Sequence, residues 1–272
     1  MEFVHVLTTR FNVRAREDSP PASDAWLRDR LALFDRFTVA TIRTQTVRPD
    51  AWLVFLDAAS PDWFVSEIKR RMPDGGFTPV WLDGVFGPDA VVSAIREAGL
   101  DAAEYLVTTR VDNDDAVGRR FIETIQSAVS PRAGRYFINL SHGAQYGGEA
   151  IYRCTDLSNA FITCVEGPTV ERRSVWIDQH GHLVLHGDLV QVRCPPLWLQ
   201  IVHGANLGNS LTGIRSEPKS VLKAFDLQLG VESMSRPRAM LAGTRRGLRF
   251  CRRATRARFQ RLLGIELYDM TR

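Results

Sequence analysis

Tyr105-Leu106-Val107-Thr108-Thr109-Arg110-Val111-Asp112-Asn113-Asp114-Asp115 is the stretch on which the fold turns. It opens as a short apolar, β-branched run and closes as an acidic turn. Such a run reads as a strand buried on both faces, the habit of parallel sheets. In open α/β sheets, ligands bind outside the carboxyl ends of the strands. Asp112, Asp114 and Asp115 therefore stand where a ligand is expected.

The same grammar extends outward. Upstream, strands are predicted over Glu2–Thr9, Trp52–Asp57 and Phe77–Leu82. Helices are predicted over Ala25–Phe37, from Ser60-Pro61 to about Arg71, and over Asp89–Ala98. Leu27, Leu31 and Phe34 recur at the spacing of one helix face, and Pro61 suits a first turn. Downstream, Val117, Phe121, Ile125 and Val129 form the stripe of the next helix. Repeated strand–helix units predict a mostly parallel, Rossmann-like sheet with helices on both faces. The second half reads differently. Short strand-like pieces at Tyr136–Leu140, Ala150–Cys154, Phe161–Val165, Ser174–Ile177, His182–His186 and Leu189–Val192 are punctuated by Gly, Asp and Asn. Gln179-His180-Gly181-His182 reads as a hairpin turn. The expected division is a domain over 1–235, with a nucleotide-binding half at 1–130 and a mixed-strand acceptor half at 131–235. A basic, helical tail follows over 236–272.

Composition narrows the class. The 272 residues are 44% hydrophobic and 24% charged, as in an ordinary globular chain. No stretch approaches the roughly 20 apolar residues of a membrane span, and the amino terminus lacks a signal-peptide layout. A cytoplasmic protein is expected. Cys154, Cys164, Cys194 and Cys251 form no CxxC pair, which favours reduced thiols over disulfides or zinc. The net charge of +4 is uneven: ten arginines and no acidic residue lie between Arg236 and Arg261, so the rest of the chain is net negative. A nucleic-acid enzyme would carry its positive charge around the cleft, so no nucleic-acid partner is expected.

Three carboxylates in four residues repel one another and need a counter-charge. A hard divalent cation, Mn²⁺ or Mg²⁺, would supply it, take diphosphate oxygens, and neutralise charge on a leaving diphosphate. The plain alternative is a solvated turn capping the next helix. Arg10 and Arg110 are candidates for diphosphate contacts, because a guanidinium binds phosphate bidentately; either could instead pair with the acidic cluster. Thr9 and Arg10 end the first strand and are expected to line the same nucleotide pocket.

Thr109-Arg110-Val111-Asp112-Asn113-Asp114-Asp115-Ala116 resembles the TRxDxDDA segment of the putative rhamnosyltransferase family, a group of GT-A-like glycosyltransferases. The resemblance takes in Thr8-Thr9-Arg10-Phe11-Asn12, Thr44-Gln45-Thr46, Asn159-Ala160-Phe161 leading to Val165-Glu166, and Trp198-Leu199-Gln200-Ile201-Val202-His203-Gly204-Ala205-Asn206. It covers roughly residues 1 to 210. It implies a GT-A-like fold, a nucleotide-diphosphate sugar donor (dTDP-, UDP- or GDP-linked) and a glycan or lipid-linked acceptor. Asp112, with Asn113 beside it, would hold the ribose or donor sugar. Asp114 would ligate the metal, with Asp112 adjoining and His203 as a late-sequence ligand; the alternative for His203 is a buried, satisfied histidine. Asp57, at the end of its strand, would receive the base or ribose, or simply terminate the strand.

An inverting transfer needs a carboxylate to take the acceptor proton. Glu166 is the preferred base, because it follows a buried-looking strand and precedes Gly167-Pro168. Asp188 is the runner-up. In the tail, Leu241, Leu248, Cys251, Thr255, Phe259 and Leu262 share one helical face among arginines. That pattern would suit an anionic membrane surface at the inner face of the cell membrane. Two competing readings remain: a metal-dependent nucleotidyltransferase or phosphohydrolase, and a non-enzymatic module that binds membrane or nucleic acid through the tail.

Overall fold

The apolar runs of the first half become four parallel strands: β1 (Phe3–Arg10), β2 (Ala51–Asp57), β3 (Thr78–Leu82) and β4 (Tyr105–Arg110). The computed structural model describes residues 1–203 and 211–231, together with the backbone of 267–269. The predicted tail contacts, and Gly204, Ala205 and Asn206, lie outside the described residues.

Between β1 and β2, α1 (Asp24–Leu33) is capped by the Ser23 hydroxyl, which accepts the Trp26 N–H. It runs through a π-helical stretch, Phe34–Val39, into the short α2 (Ala40–Ile42). The helix after β2, α3 (Asp62–Gly75), starts behind Pro61 and stops at Gly76, whose φ of 67° closes a left-handed cap. After β3 comes α4 (Pro88–Glu97). The acidic turn leads into a two-residue strand, β5 (Ala116–Val117), before α5 (Phe121–Ala128). Val117 is thus a strand residue, and Val129 lies past the helix end.

The second half adds β6 (Arg135–Leu140), β7 (His142–Gly147), β8 (Ala150–Thr155), β9 (Thr163–Glu166), β10 (Asp188–Arg193), β11 (Trp198–Ile201) and β12 (Ile214–Ser216). It also supplies the short helix α5′s successor, α6 (Pro218–Leu222), and the backbone strand β13 (Leu267–Asp269). Eight strands make the main sheet, in the order β13-β10-β6-β9-β4-β1-β2-β3. β9 runs antiparallel to both β4 and β6, and all other pairs are parallel. The predicted mostly parallel α/β sheet is present. A second, mixed sheet of five strands, β12-β8-β7-β11-β5, stands beyond the carboxyl end of β6.

The two faces of the main sheet are covered unequally. Leu27, Phe34, Phe64, Phe121 and Ile125 bring α1, the π-helical stretch, α3 and α5 onto one face. The other carries Val91 and Ile95 of α4 together with Val175, Trp176 and Leu183 of an irregular segment. That segment is where strands were expected at Ser174–Ile177 and His182–His186. The structure has turns there and one 3₁₀ turn at Leu183–Leu185. Apolar alternation was the misleading signal: Val175, Trp176 and Leu183 are buried by packing on a sheet face, not by pairing within it.

Candidate active site

β4 ends at Arg110, and the chain turns through Asp112–Asp115 at the carboxyl edge of the sheet. The turn is closed by the Asp115 N–H donating to the Asp112 carbonyl, 3.3 Å away. α1 and the π-helical stretch hold it from one side. The Thr38 hydroxyl donates to the Asp115 carbonyl at 2.9 Å, and the Thr41 hydroxyl accepts the Val117 N–H at 3.1 Å. Gln45 grips both sides of β5's exit, donating to the Gly118 carbonyl and accepting the Ile122 N–H. Thr44-Gln45-Thr46 is thus a structural clamp.

The carboxylates have separate partners. Asp112 Oδ1 lies 3.6 Å from Arg10 Nε and 3.6 Å from Arg110 Nη2, too far for hydrogen bonds, and is buried without a hydrogen-bond partner. Asn113 accepts from Arg30 Nη1 at 3.2 Å and donates to the Phe11 carbonyl. Asp114 Oδ2 meets Arg30 Nη1, and His203 Nε2 at 3.0 Å. Asp115 Oδ1 accepts the Ile201 N–H at 2.9 Å. Burial, then the negative charge of Asp114 and Asp112, pushes the Asp115 carboxyl well above the usual range; the Ile201 N–H and Arg30 oppose this. Arginines 10, 30 and 110 supply counter-charge to the cluster in this structure.

The two arginines beside Asp112 share a platform. Arg110 stacks on the Trp176 ring at 4.2 Å and Arg10 at 5.4 Å, while the Trp176 indole N–H donates to the Thr8 hydroxyl. Arg110 Nε is buried without a hydrogen-bond partner. His180 lies in the same neighbourhood. Burial lowers its pKa first and Arg110 next, with Asp156 and Asp112 acting the other way and Arg10 least.

Asp57 sits on the same edge, two strands from β4. Its Oδ1 accepts the Ala59 N–H and its Oδ2 faces Arg14 Nε at 3.4 Å. Asn12 accepts the Asp57 N–H and donates to Ser60, pinning the β2 end. Thus Arg10, Asp57, Arg110, Asp112, Asn113, Asp114 and His203 are gathered along one edge.

Three expectations are corrected. Thr9 does not line a pocket: it is wholly buried, and its hydroxyl accepts the Trp52 indole N–H at 3.0 Å. Glu166 does not project into the site. Because β9 is reversed, Glu166 pairs with Leu106 and Arg135 at the amino-terminal end of β4 and β6. Four residue steps along the strand separate Leu106 from Arg110, roughly 13 Å. Glu166 is fully buried, bound to Arg135 Nε at 2.8 Å and to the N–H groups of Arg173 and Ser174. Asp188 begins β10 at that same far end, exposed and 3.7 Å from Arg132.

Sequence reading missed Arg30, Trp176 and Arg14. Arg30 is not among Leu27, Leu31 and Phe34 of the apolar helix face, and Trp176 belonged to an expected strand. His180 was noticed only as a turn residue.

Asp114, His203 and Asp112 are the side chains here that could hold a divalent ion. Asp114 Oδ2, which also meets Arg30, lies 3.0 Å from His203 Nε2, and Asp112 Oδ1 is buried beside two arginines without a hydrogen bond. Among the described residues no three His, Cys, Asp or Glu side chains converge. An ion here would draw its other ligands from water and substrate phosphate, as Mg²⁺ commonly does. No helix among the described residues is long and apolar enough to cross a membrane.

The family model described as putative rhamnosyl transferase matches residues 11–214. None of the curated proteins matches the chain. Among solved structures, S. aureus TarS 1-349 in complex with UDP-GlcNAc is similar at 10% identity and a TM-score of 0.40, over 82% of this chain and 64% of that one. The chain thus spans less than two thirds of that protein. A 4-diphosphocytidyl-2C-methyl-D-erythritol synthase is similar at 11% identity and a TM-score of 0.36, over 77% and 94%. HddC from Yersinia pseudotuberculosis complexed with GMP-PN is similar at 7% identity and a TM-score of 0.33, over 73% and 89%. These likenesses are too remote to bear on ligand or reaction.

Proposed function

The chain belongs to the putative rhamnosyl transferase family, and from that premise we propose that it moves a sugar from a nucleotide-diphosphate donor to a hydroxyl of a glycan or lipid-linked acceptor, with inversion. The observation that carries this reading is the Arg10–Trp176–Arg110 stack beside Asp112 at the carboxyl edge. Two guanidiniums over one indole at the sheet edge put two permanent positive charges where a diphosphate would bind. Asp112 between them is a hydroxyl acceptor for the ribose or donor sugar. Asp57, held by the Ala59 N–H and Arg14, is a second acceptor for ribose or base. Asp114 and His203 would hold Mn²⁺ or Mg²⁺, which when bound would neutralise charge developing on the leaving diphosphate. Arg30, which shares Asp114 Oδ2, would then turn toward Asn113 or the phosphates.

The test is a thermal-shift and calorimetric titration with UDP-, dTDP- and GDP-sugars, with and without Mn²⁺. A matching donor at about 100 times its Kd should add about 2.7 kcal/mol of stability. Asp114→Ala should abolish the Mn²⁺-dependent part of nucleotide binding while leaving the fold intact. The donor reading fails if no nucleotide sugar stabilises the protein, and the ligand role fails if Asp114→Ala binds donor with unchanged Mn²⁺ dependence.

A further inference from the structure

With Glu166 and Asp188 at the wrong end of the sheet, the proposed transfer lacks a base. The carboxylates at the carboxyl edge that are not wholly exposed can be taken in turn. Asp57 is held by Arg14 and the Ala59 N–H, and Asp112 stands between Arg10 and Arg110. Asp114 meets Arg30 and His203, while Asp115 is sealed against the Ile201 N–H. Asp178 is bonded to His186 at 2.9 Å and lies 3.5 Å from His182. Asp156 remains. Its carboxylate makes no ion pair among the described residues, and its Oδ1 accepts the Ser158 N–H at 3.0 Å.

The backbone of Asp156 is fixed at the carboxyl end of β6. Its N–H donates to the Ser141 carbonyl at 2.9 Å, and its carbonyl accepts from Asn139 Nδ2 at 2.9 Å. Asn139 and Gln191 bond each other at 2.8 Å, and Gln191 also donates to the Leu157 carbonyl. This buried amide pair, on β6 and β10, clamps the loop from below. β6 is two strands from β4, which sets Asp156 on the order of 10 Å along the edge from the acidic turn. His180 is close enough to both sides for its pKa to be lowered by Arg110 and raised by Asp156, after the larger lowering by burial. The His180 carbonyl is tied to the same loop by the Ser158 hydroxyl.

We propose that Asp156, held at the carboxyl edge of the main sheet beside β6, is the base that takes the acceptor proton. This rests on the transferase reading above. The acceptor O–H bond breaks and its proton passes to the Asp156 carboxylate. The oxygen lone pair forms the new bond to the anomeric carbon. The bond from that carbon to the diphosphate oxygen breaks, and its electron pair leaves with the diphosphate.

Asp156→Asn keeps an oxygen for the Ser158 N–H, so the loop turn survives. Wild type, Asp156→Asn, Asp156→Glu and the far-end control Asp188→Asn are titrated with the same UDP-, dTDP- and GDP-sugars in Mn²⁺. Release of nucleoside diphosphate, with water as acceptor, is then timed. The expected result is donor affinity unchanged in Asp156→Asn with release slowed about 10²-fold or more, the range of general-base loss. Partial recovery is expected in Asp156→Glu, and wild-type behaviour in Asp188→Asn. Release within about 3-fold of wild type in Asp156→Asn overturns the assignment. So does a parallel loss of donor binding, which would make Asp156 part of the donor site. A wild-type chain that binds none of the donors sinks the transferase reading, and this base with it.

Discussion

His5 shows what burial does to one titratable side chain. Its ring is wholly enclosed, with Nε2 2.8 Å from the Thr109 hydroxyl and Nδ1 3.4 Å from the Gln126 amide nitrogen. A neutral ring that donates from Nε2 and accepts at Nδ1 satisfies both neighbours, and Thr109 can then donate to Thr163. Burial lowers the His5 pKa from 6.5 to about 3. The unfolded chain therefore binds a proton below pH 6.5 that the folded chain refuses until about pH 3. The stability this histidine allows is whole above pH 6.5 and drains as pH falls toward 3, by up to about 1.4 kcal/mol per unit. Urea unfolding at a series of pH values should show that slope, and His5→Gln should flatten it. Glu166 makes the opposite case. Glu166→Ala would leave the largely enclosed Arg135 without its carboxylate and the Arg173 and Ser174 N–H groups without their acceptor, and should cost about 3–5 kcal/mol with donor affinity unchanged. A loss of donor affinity at full stability would restore Glu166 to the site.

At the scale of elements, legibility followed burial pattern. β1 to β4 were read to within a residue or so: β2 and β4 are buried on both faces and open with apolar residues, while β3, at the sheet edge, is only partly buried and was read from its short apolar run between turns. β7 passed unread, since His142-Gly143-Ala144-Gln145-Tyr146-Gly147 has neither alternation nor an apolar run. Its pairing depends on what is missing from Gly143: a Cβ there would fall 1.9 Å from the Trp198 ring of β11. Trp198 cannot yield easily, because it stacks on Phe161 at 5.3 Å and donates to the Leu140 carbonyl at 2.7 Å. Gly143→Ala should therefore destabilise the protein by about 2–3 kcal/mol or more, measured by denaturant unfolding. The π-helical stretch was equally hidden, since a helix face reads alike with or without one wide turn. Such turns often accompany functional sites, and this one carries Thr38 to the acidic turn. The acidic turn itself was legible from its position after a buried strand. Arg30 and Trp176 were not, because which helix or loop meets that turn is decided by tertiary packing.

For the whole molecule, the expected halves at 1–130 and 131–235 share one sheet. β9, from the second half, separates β4 from β6 and bonds to both. Residues 1–130 expressed alone would leave β4 with one bare edge, and should show no cooperative urea transition where the full chain shows one. A sharp, stable transition in that fragment would mean the first half folds by itself. The reversal of β9 is also what misled the choice of base: a strand end points to the ligand edge only if its direction is known, and direction is a property of the sheet. Asp156, by contrast, follows β8 of the second sheet and reaches the edge only through its ties to β6.

The wedge between β4 and β6 sets a timetable for synthesis. A nascent chain that has emerged as far as residue 160 holds β4 and β6 but not the strand that joins them. Both β6 edges are then bare, since its other neighbour, β10, begins at Asp188. Unpaired strand edges invite pairing with other chains. A pause that holds the emerged chain between residues 140 and 162 should thus lower the yield of folded protein, whereas one that comes once Arg193 has emerged leaves only the outer edge of β10, which β13 later covers.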